Sequence, residues 1–600
     1  MVMTSAPGLA EDRAAAQAAS APGFGAWNPG LESELPRDLL PLATVFRAES
    51  VTTSLAKALE LSDYCGLPPQ ELVAFRPERL VIHELLVRVT ADLAVPDGET
   101  YEDLGRNFRS IASTILAKDI APRIDELKQV YEAVRREAAV VIARELDALF
   151  AQHGKPANDA APPRRWALGL GRRKPPPARE SAEEREQRTL REWARRARDA
   201  ASRLDRACLR ALGTVATAIA ARRGRLFADK DMITDLALTL VCNDFASESI
   251  GDAVAPFIRA GARREGYRLL SRQERPVIMN VKGASASGKS TMRPLQRMLA
   301  EKLGFPWQNF ALISPDIWRK FLLDYASLGP AYKYAGTMTG HEIEIIDKKL
   351  DRHMALKAAR GETSHLLIDR FRFDSFVEGR EPTRLLTRFG DLVYMFFIIT
   401  PPEMTVERAW KRGLQVGRYK AVEDLLAHNV EAYTGMPELF FTWALDTRRR
   451  VHFEFLDNSV AEGARPLTVA FGWNGEMTIL DLKRMLDVER FRKINIKAQR
   501  PQDVYVEKEL APERNVEFLQ RCARLIPAIN FAERATGRVY ARMEHGKWIW
   551  RDEAAISRMM ADPDTKAALM AIPAKRRDGT TQTTLLDVDD SHNLGARVAA

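Results

Sequence analysis

The sequence predicts an α/β domain, a parallel sheet between layers of helices, embedded between a large all-α N-terminal region and a smaller α+β C-terminal region. Three observations carry that expectation. Through much of the first 270 positions apolar residues recur at three- and four-residue steps, as in Ile124, Leu127, Val130, Tyr131 and Val134, the spacing of one buried helical stripe. From Pro276 the pattern changes to short apolar runs separated by helical stretches: Val277 to Val281, Phe310 to Ile313, His365 to Ile368, Leu392 to Ile399 and Val451 to Leu456. Runs too short for a core helix and apolar throughout are how parallel strands buried on both faces read. Beyond them, Leu467 to Phe471 and Met477 to Leu480 flank Gly472 to Gly475, and Val539 to Met543 and Lys547 to Trp550 flank His545-Gly546, so two hairpins are expected.

Taken in order, residues 1–36, rich in Ala, Gly, Pro and Ser, read as a flexible start, and 37–151 as a helical domain. Residues 152–180 read as a linker, broken by Gly154, Pro156, Pro162, Pro163 and Pro175 to Pro177. Helices resume over 181–272, first a highly charged one from Ser181 to Leu212, then apolar ones around Leu236 to Val241 and Ala253 to Ile258. The α/β domain covers 273–460, the α+β region with its two hairpins covers 461–574, and 575–600 read as a loose tail.

The 600 residues are 46% hydrophobic and 28% charged, which excludes a disordered or collagen-like chain. The net charge of +9 invites a nucleic-acid reading until its position is considered. Residues 164–198 hold twelve Lys/Arg against five acids, a net +7, so the basicity belongs to one linker and one helix face, with an anionic partner as the other reading. The four cysteines, Cys65, Cys208, Cys242 and Cys522, form no zinc or disulfide spacing and suit a reducing compartment. The first twenty residues lack the apolar core of a secretory signal, and the longest apolar run, Leu392 to Thr400, is too short to span a bilayer, so a cytoplasmic protein is expected.

Gly283, Ala284, Ser285, Ala286, Ser287, Gly288, Lys289, Ser290 and Thr291 match G-x-x-x-x-G-K-[ST], the loop whose amides wrap phosphates. In that pattern the lysine reaches the terminal phosphates and the hydroxyl holds Mg²⁺, roles expected here of Lys289 and Ser290. The strand Val277 to Val281 before it and a helix Met292 to Leu303 after it supply the expected context, with the helix N-terminus adding its dipole. No Asn-Lys-x-Asp motif is present, and the strand His365 to Asp369 runs into Arg370 rather than a second acid, so small-molecule kinases are the leading class.

Over residues 276 to about 460 the chain resembles the zeta-toxin family of P-loop kinases, related to chloramphenicol phosphotransferases and polynucleotide kinases. The resemblance rests on the P-loop, a second strand ending in Ser314-Pro315-Asp316-Ile317-Trp318-Arg319, a helix from His341, and Arg408 and Arg412 followed by Gly417-Arg418. It implies a P-loop kinase fold using ATP and Mg²⁺, with Asp316 as the base that takes the acceptor proton. Ser314-Pro315-Asp316 is equally a good helix start, and both readings hold together. Arg319, three residues on, shares the face of Asp316 and reads either as a grip on an anionic substrate or as a surface arginine. Asp369 reads as a Mg²⁺ ligand with Ser290, or as a strand-end turn acid. Arg370 and Arg372, interleaved with Phe371 and Phe373, suit a phosphorylated or nucleotide-like acceptor, or else continue the strand. The family usually has a small hydroxyl-containing motif just after this acid, where this chain has Arg370-Phe371-Arg372-Phe373-Asp374. Arg408 and Arg412, on a helix from Pro402 to Arg412, and Arg418 on a loop freed by Gly413 and Gly417 would form a lid over the triphosphate, or an amphipathic surface helix paired with Glu403 and Glu407. His341 and Glu342 read as helix-start surface residues.

The expected function is ATP-dependent phosphotransfer to a hydroxyl of a small, anionic or nucleotide-like acceptor. Two alternatives stand beside it: a regulatory P-loop ATPase acting through a protein partner of its helical flanks, and a nucleic-acid end kinase. Nucleic acid is not the favoured partner, and no membrane is expected.

Overall fold

The computed structural model describes residues 23–153, 181–226, 229–370, 389–572 and 589–598. The linker expectation for 154–180, the first part of the basic run, 164–180, and Arg372 lie outside these residues. In the N-terminal half the helices are α1 (Leu55–Cys65), α2 (Pro77–Asp92), α3 (Tyr101–Ile115), α4 (Ile124–His153), α5 (Ala182–Asp199), α6 (Arg203–Arg223), α7 (Lys230–Val241) and α8 (Ser247–Glu265). The chain divides into two compact units, one of residues 41–85 and 117–258, the other of 1–40, 86–116 and 259–600.

The first unit is all-helical. Its core joins Cys65, Ile142, Leu146, Trp193, Cys208, Leu212, Ile219, Ile233 and Leu236. The charged helix α5 is held there by its few apolar residues and by buried acids: Trp193 Nε1 donates to Glu145 at 3.2 Å, Arg196 grips the same carboxylate with two nitrogens at 2.6 and 2.8 Å, and Glu186 accepts from Arg225 at 3.3 Å and from the Leu226 amide at 3.2 Å.

The second unit is built on one ten-stranded sheet in the order β10-β9-β8-β7-β6-β5-β4-β1-β3-β2. The strands are β1 (Val277–Lys282), β2 (Phe310–Ile313), β3 (His365–Asp369), β4 (Leu392–Ile399), β5 (Arg450–Asp457), β6 (Leu467–Trp473), β7 (Glu476–Ile479), β8 (Ala528–Ala532), β9 (Val539–Glu544) and β10 (Lys547–Arg551). The half from β2 to β5 is parallel throughout: α9 (Arg293–Lys302) links β1 to β2, α10 (Arg319–Leu322), α11 (Ala335–Met338) and α12 (Gly340–Ala359) link β2 to β3, and α13 (Pro402–Val416) and α14 (Val422–Ala444) link β4 to β5, so these helical crossovers return β2, β3 and β5 in the direction of the strand before. β1 is buried at every position, as its apolar run requires.

Both expected hairpins form, but not on a sheet of their own. β6 pairs antiparallel with β5, so the strands after residue 460 extend the parallel half instead of starting a new layer. Nor are the two ends loose where they are described. Trp27 packs with Val406, Ala409 and Leu425 and donates its indole N–H to Glu407 at 3.0 Å. Residues 589–598 dock on β5 and β6, where the Thr468 amide donates to the Ala596 carbonyl at 2.8 Å and the Ala596 amide donates to the Pro466 carbonyl at 2.8 Å. One large aromatic ring, or one buried acceptor, anchors a segment whose composition reads as flexible.

That buried acceptor is Glu454 of β5, which takes the amides of Leu594 at 2.7 Å and Gly595 at 3.0 Å and the Thr468 hydroxyl at 2.7 Å. Burial outweighs these bonds and pushes its carboxyl up to about 7. A folded-state value above the ordinary 4.5 means that the folded chain holds the proton more tightly than the unfolded one. The contribution of this group to stability is therefore greatest below about 4.5, falls as pH rises to about 7 and is level beyond, over a span on the order of 3 kcal/mol. Denaturation of the wild type and of Glu454→Gln at about pH 5 and pH 8 isolates this group: the wild type should lose stability relative to the variant at the higher pH. An equal difference at both would refute it.

Candidate active site

The site lies at the carboxyl ends of β1, β2 and β3, where a parallel sheet opens a crevice. After Lys282 the chain turns through Ala286 at φ 60° and Gly288 at φ 101° before the helical turn that begins at Lys289. A Cβ at Gly288 would stand 2.2 Å from Asn458 Nδ2, so the motif's second glycine is demanded by sterics as well as by backbone angle. The Ser287 carbonyl accepts from Asn458 Nδ2 at 2.7 Å, Thr400 Oγ1 at 3.1 Å and Arg408 at 3.3 Å. Arg408 also donates to the Asn458 carbonyl at 2.7 Å. Its guanidinium thus ties the loop to the end of β5 instead of reaching over the crevice as a lid residue would.

Lys289 Nζ lies back on the loop, donating to the carbonyls of Gly283 at 3.1 Å and Ala284 at 2.8 Å; burial lowers its pKa. Ser290 Oγ donates to Asp369 Oδ2 at 2.8 Å, so the hydroxyl and carboxylate expected to share a cation are in contact. No cluster of three His, Cys, Asp or Glu that could hold a metal occurs among the described residues. A lone Ser/Asp pair is what a Mg²⁺ ion completed by phosphate oxygens and water needs, and the residues fit it.

Asp316 follows β2 in a 3₁₀ turn, Pro315–Trp318, that runs into α10; Ser314 makes no side-chain cap, so of the helix-start features only the proline and the acid are present. Trp318, buried, donates its indole N–H to Thr90 Oγ1 at 3.1 Å and fixes the turn from behind. The Asp316 side chain remains 40% exposed. It accepts from Arg319 Nε at 2.8 Å and from Arg418. Partial withdrawal from water works against its charge, but Arg418 and Arg319 outweigh it and hold the carboxyl well below the usual carboxylate range. Arg319 is itself held by the Gly336 carbonyl at 2.6 Å and Thr339 Oγ1 at 2.7 Å.

Helix α13 runs on through Gly413 to Val416, past the expected end at Arg412. Gly413 does not loosen the chain. A Cβ there would fall 2.4 Å from the Tyr419 ring, so the glycine admits that ring against the helix. Gly417 caps the helix at φ 73° and turns the chain so that Arg418 reaches Asp316. Arg412 Nε donates to the Arg418 carbonyl at 3.4 Å.

Arg370 is placed differently from the acceptor role expected of it. It is 3% exposed, paired with Asp347 at 2.7 Å and Asp351 at 2.5 Å on α12, and its carbonyl accepts from Lys282 Nζ at 3.1 Å. Strand β3 points this residue into the protein, where two acids from the crossover helix await it. Of the pair expected at the surface, His341 is exposed but Glu342 is fully buried.

Sequence reasoning passed over two lysines here. Lys282, at the end of β1, is wholly buried, and burial drives its ammonium far below the ordinary range. Lys420 Nζ lies 2.8 Å from His428 Nδ1. Burial brings it down to about 7 against the pull of Asp424, with Arg412 and Arg319 adding to the effect. Its position two residues after Arg418 was the available signal.

A cleft opens beside Asp316, lined by Glu102, Gly105 and Arg109 of α3 together with Ile317, Arg319, Lys320, Tyr325 and Arg418. No family model and no curated protein matches the chain. Among solved structures it is similar to a chain from the PezAT chromosomal toxin-antitoxin system of the human pathogen Streptococcus pneumoniae, at 17% identity over 35% of this chain and 76% of that one, with a TM-score of 0.24. So shallow a match leaves the chemistry to be read from the residues themselves. Among the described residues no helix is long and apolar enough to cross a membrane.

Proposed function

We propose that the chain is an ATP-dependent phosphotransferase that moves the γ-phosphate of Mg-ATP to a hydroxyl group of a small acceptor. The observation that carries this reading is the pairing of a P-loop, its Ser290 touching Asp369, with an ionised Asp316 that faces a separate cleft. A loop alone would serve any nucleotide-dependent protein, whereas a carboxylate between the loop and a second cleft serves transfer to a second substrate.

In this mechanism the loop amides and Lys289 hold the β- and γ-phosphates, Lys289 exchanging its loop carbonyls for phosphate oxygens. Ser290 and Asp369 would hold Mg²⁺, which neutralises charge on the phosphates when bound. Asp316 orients the acceptor hydroxyl and takes its proton. A carboxylate held this far toward its charged form is a weak base, which suits a loose transition state whose nucleophile gives up its proton late. Arg418 leaves Asp316 for the transferring group, with Arg412 beside it, so the ion pair at rest becomes charge stabilisation in the reaction. Arg408 keeps the loop in shape.

The test is to incubate the purified chain with γ-labelled ATP and a broad metabolite extract and to identify the labelled product by mass. Labelling that Asp316→Asn abolishes supports the reading. A chain that binds Mg-ATP yet labels nothing, with basal ATP hydrolysis unchanged in Asp316→Asn, overturns it.

A further inference from the structure

Helix α3 belongs by position to the helical N-terminal region, yet residues 86–116 form part of the compact unit that carries the P-loop. Asp103 starts the helix by accepting the amides of Thr100 at 2.8 Å and Glu99 at 3.1 Å. Leu104, Phe108, Ile111 and Ala112 bury one face. Glu102, Gly105 and Arg109 follow one another at helical spacing on the face that lines the cleft. Gly105 sets how near this wall comes to the base: a Cβ there would lie 4.0 Å from Cβ of Ile317, the neighbour of Asp316, and 3.2 Å from an Arg109 guanidinium nitrogen. The Arg109 head therefore lies along the glycine, toward the cleft. Glu102 is met by Lys320 at 3.8 Å. Arg109, Arg319, Lys320 and Arg418 face Glu102 and Asp316 around this cleft, so its lining carries more positive than negative charge.

We propose that α3 is one wall of the acceptor site and that Arg109 binds an anionic group of the acceptor, a phosphate by the planar fork it presents, while the acceptor's hydroxyl reaches Asp316. The proposal rests on the phosphotransferase reading and deepens it: the substrate is a phosphate-bearing alcohol, and its selection depends on a helix that ends at Ile115, far ahead of the P-loop that begins at Gly283. An excess of cations around the base attracts such a substrate, and the carboxylates of Glu102 and Asp316 disfavour an anion that docks in the wrong orientation.

The experiment fills the P-loop with a non-hydrolysable Mg-ATP analogue and titrates inorganic phosphate into the full chain by calorimetry. The wild type should bind phosphate, Arg109→Ala should bind it at least tenfold more weakly, and Arg109→Lys should fall between. Equal affinity for the ATP analogue in all three shows that the variants fold. Unchanged phosphate affinity in Arg109→Ala, or no phosphate binding by the wild type, overturns the proposal. In labelling of the metabolite extract, Arg109→Ala should raise the half-saturating amount of extract at least tenfold with the KM for ATP unchanged. Phosphate binding that depends on Arg109 in a chain that labels no acceptor sinks the phosphotransferase reading while leaving the anion site standing.

Discussion

Asp316→Asn is expected to lower kcat for phosphotransfer by about 10²- to 10⁴-fold, the range that a positioned proton acceptor contributes, while leaving the affinity for Mg-ATP near that of the wild type. The carboxylate stands in the cleft outside the phosphate loop, so its loss leaves the loop amides and the Lys289 hydrogen bonds in place, and Asp369 still supports the Lys289 charge that Asp316 also favours. It also takes away the anion between Arg319 and Arg418. Arg319 retains two other partners, the Gly336 carbonyl and Thr339, and keeps its place, whereas Arg418 loses the carboxylate that holds it over the cleft. Single-turnover transfer from γ-labelled ATP, measured beside equilibrium binding of an ATP analogue, separates the two effects. A wild-type rate in the variant would reduce Asp316 to a clamp for arginines. Lys289→Met is the contrasting case, because it removes a phosphate contact and should weaken nucleotide binding and transfer together.

The second large effect is on stability. Arg370→Met should destabilise the sheet unit by about 3–5 kcal/mol, the cost of stranding buried charges whose partner has gone. Asp347 and Asp351 are both buried and both meet this guanidinium. Part of the loss will be offset at Lys282, whose charged form burial and then the Arg370 charge disfavour, so removal of the arginine relieves one of the two. The variant should therefore fall toward the lower end of that range. Adding Asp347→Asn and Asp351→Asn to Arg370→Met should restore much of the stability, since a buried group without charge leaves less to compensate. Thermal and urea denaturation of the three chains measure this. An Arg370→Met chain as stable as the wild type but with a raised KM for the acceptor would instead return Arg370 to the substrate. Loss of Arg370 also loosens the end of β3, which presents Asp369 to Ser290, so phosphotransfer should fall with stability.

The strands of the parallel half were legible almost to the residue, because each is an unbroken apolar run between polar stretches and is buried on both faces. The glycines and hydroxyls of the loop were legible for a related reason. Their roles depend on backbone angle and on neighbours a few positions away, which the order of residues by itself sets. Asp316 could be singled out in the same way, directly after β2 and at the start of a turn.

What lay outside the reach of local pattern depends on pairing across long stretches of chain. Nothing in the run from Leu467 to Trp473 says that it will join β5 edge to edge and carry the sheet to ten strands; a free strand edge and a matching strand must meet for that. Arg370 reads as a substrate arginine until Asp347 and Asp351, on a separate helix, surround it. Gly413 reads as a hinge until Tyr419 fills the space its missing side chain leaves. The sequence by itself determined a loop of the phosphate-binding pattern after the first strand of a parallel sheet, and a carboxylate after the second. Only the tertiary structure decided which arginines face the cleft, which ones hold the fold, and that α3 closes its wall, because a side chain's role follows from what it is packed against and packing is non-local.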